Sequence, residues 1–342
     1  MNGSWVEQTS LGISPWIDVS VAYDSGNVMA VVADGGYLYI LNLKITSYWQ
    51  AMTMMISSQR WSCVDISSTG DTIAAATYDG MIAISNDAGL NWVNVTHSTR
   101  PYYDIAISME GSTASLITQN GSIWIYELQS PYDSFETYSQ VKDGYFQVFN
   151  AIAADPTGQY YIAVAEWGYI WTSYNGFDWE MQLSAIEGTW ISTAMSSTGQ
   201  IMMGLQNRGY LYLSSNYGYD WTKVIISTSS TRAQWSAVAC SSTAQYIVAA
   251  QQSGYIYFSG GMYVYMDLHR SVFSYPHLYL LQYTDGGNTW LLTNAPKANW
   301  YALAINDDAS QIVALVYSSC IYLSVNQGGS WTAQVVEASI GM

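Results

Sequence analysis

The sequence predicts an all-β chain: one closed array of seven four-stranded antiparallel units. Three observations carry the prediction. A turn pattern, Ser/Thr-x-Asp-x-Gly-x-x-Trp, returns near the end of almost every stretch of about forty residues. Between its copies run short strands rich in Tyr, Val, Ile and Ala, broken by Gly-containing turns. The composition agrees, because 30 Tyr and 15 Trp with only six Pro favour many short strands over helices. Four-stranded units repeated around an axis make a β-propeller, which protects its sheet edges by radial closure.

The turn pattern is clearest at Ser85, Asp87, Gly89 and Trp92. Asp at a turn accepts hydrogen bonds from amides just beyond it, and Gly supplies the positive φ that closes the turn. The Trp opens the next strand and buries a large apolar surface. Ser214, Asn216, Gly218 and Trp221, and Ser324, Asn326, Gly328 and Trp331, repeat it with Asn for Asp. Asp285, Gly287 and Trp290 keep the spacing with Tyr283 in the Ser slot, and Gly176 and Trp179 keep it with Tyr174 in the Asp slot. Residues 131–138 and 42–49 are worn copies, and residues 2–5 read as the tail of another.

This pattern resembles the Asp-box, or bacterial neuraminidase, repeat of sialidases and of other propellers with unrelated functions. The resemblance implies a folding device on the hairpin between third and fourth strands, and it points to the non-enzymatic members. True sialidases clamp a carboxylate with three arginines; here the arginines are Arg60, Arg100, Arg208, Arg232 and Arg270, with none in the first 59 residues. The repeat is also similar to that of photosystem II assembly-factor propellers. That resemblance implies an arginine-rich patch, which five scattered arginines do not supply.

Counting from the first turn of each unit, at Gly26, Gly70, Gly111, Gly158, Gly199, Ala244 and Ala309, gives units at about 10–55, 56–98, 99–143, 144–185, 186–229, 230–295 and 296–342. In the second unit the strands read 61–67, 72–77, 81–85 and 92–96. Residues 5–9 read as a surplus fourth strand, which closes the last unit's outer edge, belongs to a longer array, or adds to a neighbouring molecule. Residues 260–283 form an insertion in unit six.

Nine residues before each first turn stand Ile17 (beside Trp16), Trp61, Tyr102, Phe149, Trp190, Trp235 and Trp300, an expected aromatic ring at one channel mouth. The turns between second and third strands are expected on the same face. They carry Asp34, Tyr78, Asp79, Gln119, Asn120, Glu166, Trp167, Gln206, Asn207, Arg208, Gln251 and Gln252. Planar amides beside exposed aromatics suit sugar rings, which stack on an aromatic face while their hydroxyls are hydrogen-bonded; the other reading is ordinary polar turn residues. Asp65 and Asp104 on neighbouring inner strands are weak candidates for an acid–base pair; the other reading is that they bond strand ends. The insertion offers Tyr263, Tyr265, Tyr275 and Tyr279 as a recognition hairpin, while its Asp267, His269 and His277 do not form a specific metal spacing. No cofactor or metal motif is present.

Half of the 342 residues are hydrophobic, 10% are charged, and the net charge is −16 with only nine Lys and Arg. That disfavours nucleic acid and anionic membranes, which need basic patches, and there is no apolar run near the roughly 20 residues of a spanning helix. Cys63, Cys240 and Cys320 read as small buried hydrophobes. Asn2, Asn94 and Asn120 begin glycosylation acceptor tripeptides and tilt the reading towards an extracellular or cell-surface setting. The expected function is a non-enzymatic propeller binding protein or glycan, or building a surface assembly. Two alternatives stay open: a filament or appendage subunit using residues 5–9 or the insertion, and a glycoside hydrolase or lyase using channel carboxylates.

Overall fold

A computed structural model describes residues 14–334 except 25, 47, 53–57, 97–100, 109, 119–120, 129–137, 141–147, 156, 227–233, 261–262, 265–280, 283–286, 288 and 318. The fold is an all-β propeller. Its innermost strands, Trp16–Val21, Gln59–Ile66, Tyr102–Ile107, Val148–Ala154, Trp190–Met195, Trp235–Cys240 and Trp300–Ile305, each pack against the next, and the last returns to the first. Alternation of Val, Ile, Leu and Ala along these strands and their neighbours gives each seam between sheets its own apolar core.

Seven separate four-stranded sheets, the sequence expectation, are not what forms. Among the described residues there are five separate four-stranded sheets and one eight-stranded sheet that runs through the first two units. The join lies where Val28–Gly36 pairs with Gln59–Ile66, at Asp34↔Arg60 and Gly36↔Gln59. Three other seams carry only a single bridge at this level, Ser14↔Ser319, Gly168↔Gly188 and Gly254↔Ala298. The physical reason is local. Two glycines, Gly35 and Gly36, let the second strand of unit one run on to reach its neighbour, and Arg60 meets Asp34 across the join at 3.4 Å. Arg60 also lies over the Tyr78 ring, 5.3 Å from its centroid.

The strands of unit two, Gln59–Ile66, Ile73–Thr77, Met81–Ser85 and Val93–Thr96, fall within two residues of their expected positions. In the insertion, Tyr263–Val264 pairs with Leu281–Gln282 as a small separate sheet. Tyr265, Tyr275 and Asp285 lie outside the described residues, as do Asn2, Asn120 and the surplus strand at 5–9.

Candidate functional site

The expected aromatic ring forms, but it faces sideways rather than into the channel. Trp61, Tyr102, Phe149, Trp190, Trp235 and Trp300 are all buried between sheets. Their register explains why. Directly after each aromatic the pairing slips by one residue, as between Trp190↔Gln206 and Ser192↔Leu205, and the same slip occurs at Trp61, Phe149, Trp235 and Trp300. A β-bulge re-aims side chains. Here the aromatic turns into the seam and the next residue turns towards the channel. Trp190 Nε1 donates to Gly168 O at 3.0 Å, and Trp235 and Trp300 donate to Gly209 O and Gly254 O, so each ties its sheet to the preceding one. These residues are therefore fasteners, not an exposed binding ring.

Unit one adds a correction. Its ring member is Trp16, whose Nε1 donates to Ser319 O at 2.8 Å, and Ile17 is the bulged residue. The count slipped because Gly26 N–H bonds four residues back, to Ala22 O, whereas Gly70 N–H bonds three back, to Ser67 O.

The residues that follow the ring line the channel mouth, Ser62, Tyr103, Asn150, Ile191, Ser236 and Tyr301, with Ile17 in the first unit; of the ring itself Trp235 and Trp300 also border the cavity. They open on a cavity of about 580 Å³ running down the axis. Tyr78 packs edge-on against Tyr103 at 5.6 Å, and Tyr301 lies 5.7 Å from Tyr317. Asn207 and Gln252 from the second-to-third-strand turns complete this side of the rim. Tyr103 and Tyr301 were missed from sequence. The usable signal was a second aromatic directly after the ring residue, as in Tyr102-Tyr103 and Trp300-Tyr301.

Asp65 and Asp104 do line the cavity, but not as a matched pair. Asp104 is the first residue past its bulge, level with Asp18 of unit one; Asp65 sits two residues further along, level with Ser20. Each carboxylate crosses a seam. Asp18 Oδ2 accepts from Val64 N–H at 2.9 Å and Asp104 Oδ2 from Ile152 N–H at 2.8 Å. Asp65 Oδ2 accepts from Ile107 N–H and Oδ1 from the Ser20 hydroxyl, both at 2.7 Å. Ser192 does the same work neutrally, its Oγ accepting from Val238 N–H. Both oxygens of each acid are engaged, Asp18 and Asp104 also accepting from the next amide of their own strand. Burial raises the Asp18 carboxyl to about 7 against the opposing pull of its backbone donors, and Asp65 to about 6; it holds Asp104 well above the usual range, with the Asp18 charge adding to it. As an acid–base pair Asp65 and Asp104 are mismatched: they stand at different levels of the channel, and each holds a backbone N–H of the next sheet.

The repeated turns fold as their residues dictate. Ser85 Oγ accepts from Gly89 N–H and donates to Asp87 Oδ1, which also accepts from Asn91 N–H at 2.7 Å. Trp92 Nε1 then donates to Gly89 O at 3.0 Å. The same indole-to-glycine bond recurs at Trp221–Gly218, Trp290–Gly287 and Trp331–Gly328, and Asn216 and Asn326 accept as Asp87 does. In unit four the acceptor is Asn175, not Tyr174: its Oδ1 takes Phe177 N–H and Asp178 N–H, in a turn one residue tighter. Asn94 is exposed on its strand.

Fold and channel together define a β-propeller with a polar, tyrosine-rimmed axial cavity. No family model and no curated protein matches the chain. Among the solved structures similar to it is one described as "YCF48 bound to D1 peptide", 16% identical, with a TM-score of 0.67 over 95% of this chain and 98% of that one. At that identity the likeness shows the fold.

Proposed function

We propose that the chain is a non-enzymatic propeller of the Asp-box class that binds a segment of a partner protein at the mouth framed by Tyr78, Tyr103 and Tyr301. The carrying observation is the bulge at each inner strand, which directs Tyr103, Asn150 and Tyr301 to the rim of an open cavity. Tyrosines give amphipathic contact area at small entropy cost, and the amides of Asn207 and Gln252 suit an extended backbone, while Asn150, whose Nδ2 donates to Trp190 O, offers its Oδ1. Channel carboxylates that each hold an N–H of the next sheet support a structural part for these acids. The propeller solved with a D1 peptide supports protein as the partner class. An extracellular or cell-surface setting belongs to this reading, supported by the exposed Asn94 acceptor site.

The test is selection from a displayed random-peptide library against the full chain, repeated with Tyr103→Ala/Tyr301→Ala. Peptides that lose affinity for the double variant are expected. Selection of none, alongside retention of oligosaccharides on a glycan array that the variant loses, would replace protein by glycan. Glycosidase activity abolished by Asp65→Asn or Asp104→Asn would overturn the non-enzymatic reading.

A further inference from the structure

A second surface lies on the same face, away from the channel. The residue before the turn glycine that links second and third strands is Asp79, Arg208 or Ser253 in three units, and Trp167 in the fourth. Trp167 is 75% exposed and holds a left-handed backbone, φ +55°. Beside it Ile186 is 53% exposed at φ 55°, ψ 162°, a region adopted almost solely by glycine. The two are brought together by paired backbone bonds, Gly168 N–H to Gly188 O at 3.0 Å and Gly188 N–H to Gly168 O at 2.8 Å. Leu183, 65% exposed, accepts from Ile186 N–H, and Val148, 37% exposed, pairs with Glu166. A strained backbone bearing large exposed apolar side chains gives the fold nothing that glycine would not give better.

Two carboxylates flank the patch, against one cation on the neighbouring turn. Glu166 adjoins Trp167 and Glu187 adjoins Ile186. That cation, Arg208, has Nε and Nη2 3.1 and 2.9 Å from the Gln234 side-chain amide, whose oxygen accepts from both when the amide is turned towards them, and it keeps its charge. We propose that Val148, Trp167, Leu183 and Ile186 form a docking patch for a partner-protein segment whose apolar side chains are flanked by Lys or Arg. Charge complementarity selects that occupant: a net charge of −16 sets a second copy of this chain against its own acidic rim.

The experiment measures anisotropy of a short fluorescein-labelled peptide of alternating Leu and Lys against the full chain, with Leu–Glu and Gly–Lys peptides beside it. Trp167→Gly is expected to weaken Leu–Lys binding about tenfold or more while unfolding no earlier than the parent. Glu166→Gln/Glu187→Gln is expected to weaken it and flatten its salt dependence. Leu–Glu is expected not to bind, and Tyr103→Ala/Tyr301→Ala to bind Leu–Lys as the parent does. Should Trp167→Gly unfold early, Leu183→Gln is expected to show the same loss. Equal binding by Trp167→Gly, equal binding of Gly–Lys, loss in the tyrosine variant or no binding by the parent would each overturn the proposal; of these only loss in the tyrosine variant bears on the channel mouth, where it would place the peptide.

Discussion

Replacing Asp18 by Asn should flatten the protein's dependence of stability on pH. The folded state holds this carboxyl at about 7 against an ordinary 3.8. A folded state that binds the proton more tightly than the unfolded chain is stabilised at low pH. That contribution is complete below about 4 and is lost as pH rises through about 7. The full rise corresponds to about 4 kcal/mol, at about 1.36 kcal/mol per tenfold change in proton affinity. Between pH 5 and 8 roughly two thirds of it is in play, and water in the open cavity screens that to about 1–2 kcal/mol. Asp65, raised to about 6, acts in the same direction. So does Asp104, whose elevation owes part of its size to the Asp18 charge. The assay is urea unfolding of parent and variant at pH 5 and pH 8. The parent should be the more stable at pH 5, and Asp18→Asn should shrink that difference by about 1–2 kcal/mol. Using the difference cancels the loss of one seam hydrogen bond, which affects both pH values. A parent that gains stability from pH 5 to 8, or a variant with an unchanged difference, would refute the reasoning.

Three further outcomes are expected. Trp190→Phe should cost about 1 kcal/mol more than Trp61→Phe in thermal or urea unfolding. The Trp190 indole donates across its seam, whereas the buried Trp61 Nε1 has no partner among the described residues. Asp87→Ala should cost about 1 kcal/mol at neutral pH, an effect that fades below about pH 4. Burial raises the Asp87 carboxyl, but the Asn91 and Ser85 hydrogen bonds outweigh it and hold the group below its usual range, so its contribution is lost as acid protonates it. Burial pushes the Cys240 thiol up to about 12 and Cys63 well above its ordinary range. Both should resist a thiol reagent at pH 8 in native protein and react on unfolding.

The propeller was legible because its evidence is local. A turn such as Ser85–Trp92 needs only its own residues to close, so each copy announces the hairpin around it. Even the tighter turn at Asn175 disturbed only which residue accepts. Features that depend on register between strands were harder to read. A period of two along 61–67 assigns Trp61 to one face, but the bulge after it breaks that alternation, and no residue type marks the slip. The aromatic ring was therefore placed correctly along the strand and wrongly around it. Asp18 was overlooked because one extra residue before Gly26 displaced the count in unit one. The continuous sheet of the first two units depends on Asp34 meeting Arg60, a pairing between segments that no motif links.

The bulge also divides labour between adjacent residues. Trp190 answers to the seam and Ile191 to the lumen; Trp300 and Tyr301 are split in the same way. At Tyr103, Ile191 and Tyr301 the lumen-side residue borders open space, whereas Ser62 Oγ donates to Ala76 O and Asn150 Nδ2 to Trp190 O; one position earlier each ring residue meets a close-packed seam. At those three positions the rim is thus free to drift in chemistry while closure stays under constraint. A library randomised at Tyr103, Ile191 and Tyr301 would sample new specificities on an unchanged ring.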